Sequence, residues 1–221
     1  MTESILLRID ILGYTKMMKS PDAGRIVEKI EEIVKVYSDK VRWMPEDLKP
    51  RLKIHQMYGD TLDIHYERGE GDAAMMMLLD IASDIIRDFA MEGMLVRGAI
   101  VVGDIRDSDY AFTGKAMAIA HMEEKSCCFP SVIMDRDVVS ILADQIQLLY
   151  GMNSSGKERG YIFEYGDRCY LDHIRGDKDI LSKMKDAVCE YRERAESSED
   201  KEKCSEFMDS LELYESKESE K

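Results

Sequence analysis

Leu6-Leu7-Arg8-Ile9-Asp10-Ile11-Leu12-Gly13-Tyr14-Thr15 is an apolar run that ends in an acid and then a glycine. The part from Ile5 to Asp10 is short and apolar, the pattern of a buried strand. Asp10 closes that strand and Gly13 opens a tight turn. Fifty residues later, Asp60 stands in Tyr58-Gly59-Asp60-Thr61-Leu62. That segment is the bend between two further predicted strands, 51–58 and 61–66, a hairpin signal. If the Asp10 strand and the Asp60 hairpin are neighbours in one sheet, the two carboxylates converge. Converging carboxylates with no basic partner nearby predict a divalent-cation site.

The elements around these two segments supply the sheet. Ser20-Pro21-Asp22 reads as a helix start, with Ser20 as N-cap and Pro21 in the first helical position. Ile26, Ile30, Ile33, Val34 and Tyr37 then recur at helical spacing, so the helix runs to about Val41. Residues 67–72 read as a loop, and 73–91 as an apolar, Met-rich helix ended by Gly93. Residues 94–102 form a strand broken by Gly98, and 103–112 a loop or second hairpin. A second amphipathic helix covers 114–124, followed by a strand at 131–134 and a short helix at 136–143. A final hairpin joins 160–163 to 169–171 around Gly166-Asp167.

This order predicts an α+β fold of ferredoxin-like type, β-α-β-β-α-β, with helices on one face of an antiparallel sheet. In that topology the first and third strands are adjacent, which sets Asp10 beside Asp60. The predicted domain is 1–175. Residues 176–221 form a charged, acidic, helical tail with Ile180, Met184, Ala187, Val188 and Tyr191 on one stripe. Glu196 to Asp200 reads as a break, and a second helix near 204–214 is expected to pack weakly or fray. The tail is open to three roles: dimerisation element, lid, or solvated helix pair.

Composition narrows the function classes. A chain of 221 residues, 44% hydrophobic, can bury one sizeable core. No run approaches the ~18 apolar residues that span a bilayer, so no membrane is expected. The acidic Glu3 at the start of a strand is unlike a targeting peptide, which predicts a cytoplasmic protein. The net charge of −14 argues against a nucleic-acid polymer as partner. A nucleotide arriving with magnesium is compatible with it. The five cysteines, Cys127, Cys128, Cys169, Cys189 and Cys204, are odd in number without a C-x-x-C, so they read as reduced thiols. His55, His65, His121 and His173 show no ligand spacing and read as structural, with His55 a minor candidate for touching substrate.

The pair Asp10 and Asp60 suits two Mg²⁺ or Mn²⁺ ions, since magnesium keeps few protein ligands and takes the rest from substrate phosphates. Gly13-Tyr14-Thr15 follows at once, and a glycine turn leading to a helix can cradle phosphate with its N–H groups.

These residues resemble a known family. Asp10-Ile11-Leu12-Gly13-Tyr14-Thr15 is similar to the Asp-Ile-x-Gly-Phe-Thr segment of class III nucleotide cyclases. Tyr58-Gly59-Asp60 resembles that family's Ile-Gly-Asp hairpin, and Val96 to Gly103 its Arg-x-Gly-Ile-x-x-Gly strand. Gly114-Lys115-Ala116-Met117 resembles its Gly-Asp-Thr-Val helix start. The resemblance spans about Ile5 to Leu171. It implies metal ligation by Asp10, Asp60 and the Ile11 carbonyl, phosphate binding by Gly13, Tyr14 and Thr15, and homodimers with composite active sites. The family's purine enzymes carry an Asn and an Arg where this chain has Ala118 and Met122, and a base-selecting pair where it has Gln56 and Ala111.

The stretches 97–100, 114–117 and 120–123, with the helical tail, resemble the pyrimidine cyclases of prokaryotic antiphage defence, the Pycsar systems. That branch implies UTP or CTP as substrate, a cyclic UMP or cyclic CMP product, and a separate effector that responds to it. Tyr58 is a candidate for narrowing the base pocket. Arg97, Lys115 and Arg168 are candidates for the cation that replaces the missing Arg. The alternatives are a purine cyclase with altered helper residues, and a catalytically inactive, cyclase-like nucleotide-binding dimer.

Overall fold

Strand β1 spans Thr2–Ile11, and its alternation sorts the rest of the molecule. Ile5, Leu7, Ile9 and Ile11 point to one face and are at most 2% exposed. Ser4, Leu6, Arg8 and Asp10 fall on the other, as the period of two requires. The computed structural model describes residues 2–44, 51–55, 59–68, 74–109, 111–127, 130–150, 161–195 and 197–219. Gln56, Tyr58 and Cys128 lie outside the described residues.

After β1 come a single-turn helix α1 (Tyr14–Met17), α2 (Ala23–Arg42), β2 (Leu52–Ile54) and β3 (Thr61–Glu67). Then follow α3 (Ala74–Met91), β4 (Val96–Ser108), β5 (Ala111–Gly114) and α4 (Lys115–Ser126). β6 (Val132–Met134), α5 (Arg136–Tyr150), β7 (Ile162–Tyr165), β8 (Arg168–Leu171), α6 (Lys178–Arg194) and α7 (Ser198–Ser219) complete the chain. The sheet order is β2-β3-β1-β4-β6-β8-β7, with β5 paired to the far end of β4. The expected α+β architecture is therefore present, and β1 lies between β3 and β4. The sheet is mixed, because β4 and β6 run parallel.

Helices α2 and α3 cover the Ile5 face. Ile30, Ile33 and Tyr37 of α2 and Met75, Leu78, Leu79 and Ile85 of α3 join the β1 residues in the main core. Each fully buried Leu or Ile there contributes roughly 1.5–3 kcal/mol. Helix α4 packs on the opposite face, where Ala116 and Ala120 meet Leu6, Ala99 and Val101. Helices therefore flank both faces rather than the one expected, because the second face also carries apolar residues, Leu6, Ala99 and Val101, for α4 to cover.

Three local expectations are corrected. Ser20 does not cap α2; its hydroxyl donates to the Met17 carbonyl at 2.7 Å, closing the turn after α1. Asp22 holds the N-cap position, without a side-chain bond. Gly98 does not break β4, which runs through it. A Cβ there would lie 2.1 Å from the Arg8 carbonyl oxygen, so glycine permits the close approach of β1 and β4. Helix α5 is also longer than expected, reaching Tyr150.

The tail is anchored rather than frayed. Asp177 caps α6, accepting from the Asp179 and Ile180 N–H groups at 3.0 and 3.2 Å. Ile180, Leu181, Met184 and Val188 are buried against the body. Cys204, Phe207, Leu211 and Tyr214 of α7 are equally buried, each at most 4% exposed. The Tyr214 hydroxyl donates to Asp172 Oδ2 at 3.2 Å and accepts from the Gly176 N–H at 2.7 Å. Among the described residues, no helix is long and apolar enough to cross a membrane.

Candidate active site

Asp10 and Asp60 are brought together by register. Asp10 pairs with Thr61 across the β1–β3 ladder. One residue further, the Ile11 N–H donates to the Asp60 carbonyl at 3.0 Å, and the Leu12 N–H donates to the Leu95 carbonyl at 2.9 Å. Both aspartates thus hang from hydrogen-bonded backbone at one end of the sheet. Gly13 follows with φ 75°, left-handed backbone that favours glycine, and turns the chain into α1.

The expectation of no basic partner is overturned. Arg97 stands opposite Asp10 in the β1–β4 ladder. Its Nε and one terminal nitrogen each lie 3.3 Å from Asp10 Oδ2. The terminal nitrogen also lies 3.3 Å from Glu124 Oε1. Glu124, at the end of α4, has a side chain only 7% exposed. A neighbouring pair, Arg8 and Asp63, sits on the same face with two bonds of 2.8 and 2.7 Å.

Burial is the largest reason that the Asp10 carboxyl is pushed up to about 7, and the nearby Glu124 and Asp60 charges add to it. Arg97 opposes the rise and does not cancel it. A half-buried carboxyl with two acidic neighbours and one shared arginine is short of positive charge. A divalent cation would supply that charge, so the residues present fit one.

The two aspartates open onto a cavity of about 770 Å³. Ile11, Gly13, Tyr14, Thr15 and Arg97 also line it. The remaining described candidates lie elsewhere. Ala111 and Lys115 are exposed at the opposite end of the sheet, where β4 pairs with the start of β1. Eight residues of strand separate that end from Asp10, roughly 25 Å. Arg168 donates to the Ser126 carbonyl and hydroxyl at 3.1 and 3.0 Å, holding the C-terminus of α4. Ala118 and Met122 are exposed on α4.

Sequence reasoning missed two contributors. Glu124 continues the Ala116–Ala120 stripe at a spacing of four, so an acid on a buried stripe was the available signal. Tyr191, Arg194 and Lys203 of the tail form a wall of the cavity, and nothing local announces that.

Two of the four histidines, His55 and His65, converge, contrary to the spacing argument. His55 Nε2 and His65 Nδ1 lie 2.7 Å apart. Their ligand atoms and those of Asp107 lie within 4.8 Å of one another. His55 stacks on Phe112, ring centroids 3.6 Å apart. Burial pushes the imidazoles down, to about 4 for His65, and Lys53 already bonds Asp107 at 2.6 Å. A cation there would have to displace Lys53.

No family model and no curated protein matches this chain. Solved structures do. The monomeric guanylyl cyclase domain of the RhoGC fusion protein from the aquatic fungus Blastocladiella emersonii is 11% identical, with 77% of this chain and 94% of that chain covered at a TM-score of 0.52. An adenylate/guanylate cyclase/hydrolase from Silicibacter pomeroyi is 15% identical, with 76% and 93% covered at a TM-score of 0.50. The fold is that of a nucleotide cyclase domain. At such identities the likeness is one of architecture. Within this cyclase-type fold, the Asp10–Asp60 end of β1 and β3 carries the acids, and α4 brings Glu124 to the same end.

Proposed function

We propose that this chain is a nucleotide cyclase that converts UTP or CTP to the 3′,5′-cyclic monophosphate and pyrophosphate, as a second-messenger source in antiphage defence. One observation carries the cyclase reading: two aspartates fixed by adjacent strands at a cavity, with burial and the Glu124 and Asp60 charges raising the Asp10 carboxyl to about 7. The pyrimidine and defence assignments rest on the resemblance of 97–100, 114–117 and 120–123 to the Pycsar cyclases. Ala118 and Met122, in place of the purine enzymes' Asn and Arg, support them.

In this reading residues 1–175 are the catalytic domain, 176–221 its helical appendage, and the protein is cytoplasmic. Asp10, Asp60 and the Ile11 carbonyl would hold two Mg²⁺ or Mn²⁺ ions, which when bound would acidify the ribose 3′-hydroxyl and neutralise the phosphates. Gly13, Tyr14 and Thr15 position the phosphates, and Arg97 turns from Asp10 towards the substrate. The 3′-oxygen bonds to the α-phosphorus as its bond to pyrophosphate breaks, so the protein's work is positioning and charge complementarity. Gln56 and Tyr58 would read the base. Ala111 and Lys115, roughly 25 Å from Asp10 in one subunit, would serve the site of a second copy in a homodimer. Arg168 would act indirectly, through α4.

The test is incubation of purified protein with Mn²⁺ and each of the four ribonucleoside triphosphates, followed by detection of cyclic product and pyrophosphate. Conversion of UTP or CTP alone supports the proposal. Conversion of ATP or GTP replaces it with a purine cyclase, and no product from any removes it. One observation favours a second reading, an inactive nucleotide-binding dimer. Arg97 engages Asp10 and Glu124 together, where a cation would otherwise sit.

A further inference from the structure

The geometry points to the C-terminal helices as part of the substrate site, with Arg194 of α6 and Lys203 of α7 holding the triphosphate end of the nucleotide. This inference rests on the nucleoside-triphosphate half of the reading above and concerns residues that lie beyond the cyclase-like segment. The apolar stripe of α6 ends in Tyr191, and a Cβ placed on Gly13 would meet the Tyr191 ring at 3.2 Å. The tail therefore packs directly on the glycine turn that is to receive phosphate. Lys16 Nζ, in that same segment, donates to the Arg194 carbonyl at 3.4 Å. On α7, Cys204 is buried beside the cavity and fixes the start of the wall that carries Lys203.

Charge selection is the second argument. Residues 177–221 hold 15 acidic and 9 basic side chains, a net −6. Yet among the described residues, the charged tail side chains lining the cavity are both cations, Arg194 and Lys203. With Lys16 and Arg97 they set four cations against Asp10, Asp22 and Asp60. An acidic helix pair that turns only positive charge inward matches a polyanion. The aspartates and their cations would face the α-phosphate end, and the tail the distal phosphates. Arg194 bonds Glu190 at 2.9 Å, but the side chains are 72% and 64% exposed, and pairs of that kind hold their partners weakly. The guanidinium can exchange that carboxylate for a phosphate, which it grips with two parallel bonds.

The experiment is calorimetric titration of the full chain with UTP, CTP, ATP and GTP, and with the matching monophosphates, in Mn²⁺. The double variant R194A/K203A should bind its preferred triphosphate roughly 10–100-fold more weakly. It should bind the monophosphate within about 2-fold of wild type. The charge-conserving R194K/K203R keeps both charges but loses the bidentate grip, so it should recover only part of the triphosphate affinity, to within about 10-fold of wild type, which separates charge from folding. Equal loss for both phosphate states, or none for either, overturns the inference. So does a wild-type protein that binds no triphosphate. A wild type that shows the contrast but makes no cyclic product supports the inference and removes the cyclase reading alone.

Discussion

The two faces of β1 do different work. On one, Ile5, Leu7, Ile9 and Ile11 meet α2 and α3 with no polar atom among their side chains. On the other, Leu6 alone packs with α4, while Arg8 pairs with Asp63 of β3 and Asp10 with Arg97 of β4, which also meets Glu124 of α4. The apolar face is a means of holding register. The charged face is what the register arranges. A slip of one residue would bury Asp10 under α2 and α3 and turn Ile9 towards the cavity, so fold and site depend on the same pairing.

The largest expected effect separates the faces by function. Asp60→Ala and Asp10→Ala should each lower turnover at least ~1,000-fold, about 4 kcal/mol of barrier. The urea midpoint of Asp60→Ala should stay near wild type, since its side chain does not pack in the apolar core. Surviving turnover, measured as cyclic product per folded molecule, would place the cation elsewhere. Leu7→Ala tests the other face. It should cost about 2–5 kcal/mol of stability by urea melt and leave turnover per folded molecule nearly unchanged. A variant that kept its stability but lost turnover would break the division.

Arg97 links the two roles, and its removal should be felt in both. Arg97→Ala leaves Asp10 and Glu124 facing each other without their shared cation. The Asp10 titration, followed by carboxyl NMR, should move above its wild-type midpoint of about 7. Stability near pH 8 should fall by roughly 1–3 kcal/mol. An unmoved midpoint would mean that the arginine does not govern this carboxyl.

The pH dependence follows in sign from Asp10. Its carboxyl titrates near 7 in the folded chain and near 3.8 when unperturbed. Between those values the folded state holds a proton that the unfolded chain has released, so this group's contribution declines as pH rises through the window. Asp10→Asn has no such titration. Without divalent metal, its stability advantage over wild type should therefore grow between pH 4 and pH 7. Each pKa unit corresponds to at most about 1.4 kcal/mol, and coupling to Glu124 and Asp60 reduces the total. Mn²⁺ at pH 8 should narrow the gap by stabilising the wild type. A gap constant with pH, read from paired denaturant melts, would contradict the raised carboxyl.

The aspartates were legible because Asp10 lies at the end of a recognisable strand, Asp60 in a recognisable hairpin bend, and the strand order makes them neighbours. Arg97 was legible as a residue and illegible as a partner. Its pairing with Asp10 depends on the register of two strands 87 residues apart, which no local pattern encodes. Gly98 misled for a related reason: a glycine within a strand signals either a break or a close approach, and only the Arg8 carbonyl beside it decides. Glu124 stood in plain sight on an alanine stripe. The tail wall was out of reach, since an amphipathic stripe says that a helix packs but not on what.

The smallest effect is expected at Arg168, and there two accounts can be told apart. The family resemblance makes Arg168 a phosphate ligand, whereas its guanidinium bonds Ser126 at the end of α4. A cation at a helix C-terminus satisfies carbonyls left without an intrahelical donor. Arg168→Ala should therefore cost about 0.5–1.5 kcal/mol of stability. It should raise the KM for triphosphate less than about 3-fold, through loosening of the helix that carries Glu124. Arg168→Lys keeps the charge but loses the paired geometry, so it should recover part of the stability. A KM raised tenfold or more at unchanged stability would mean that Arg168 reaches phosphate after all. The α4 face would then serve the site from a longer stretch of sheet than the cavity around Asp10 now includes.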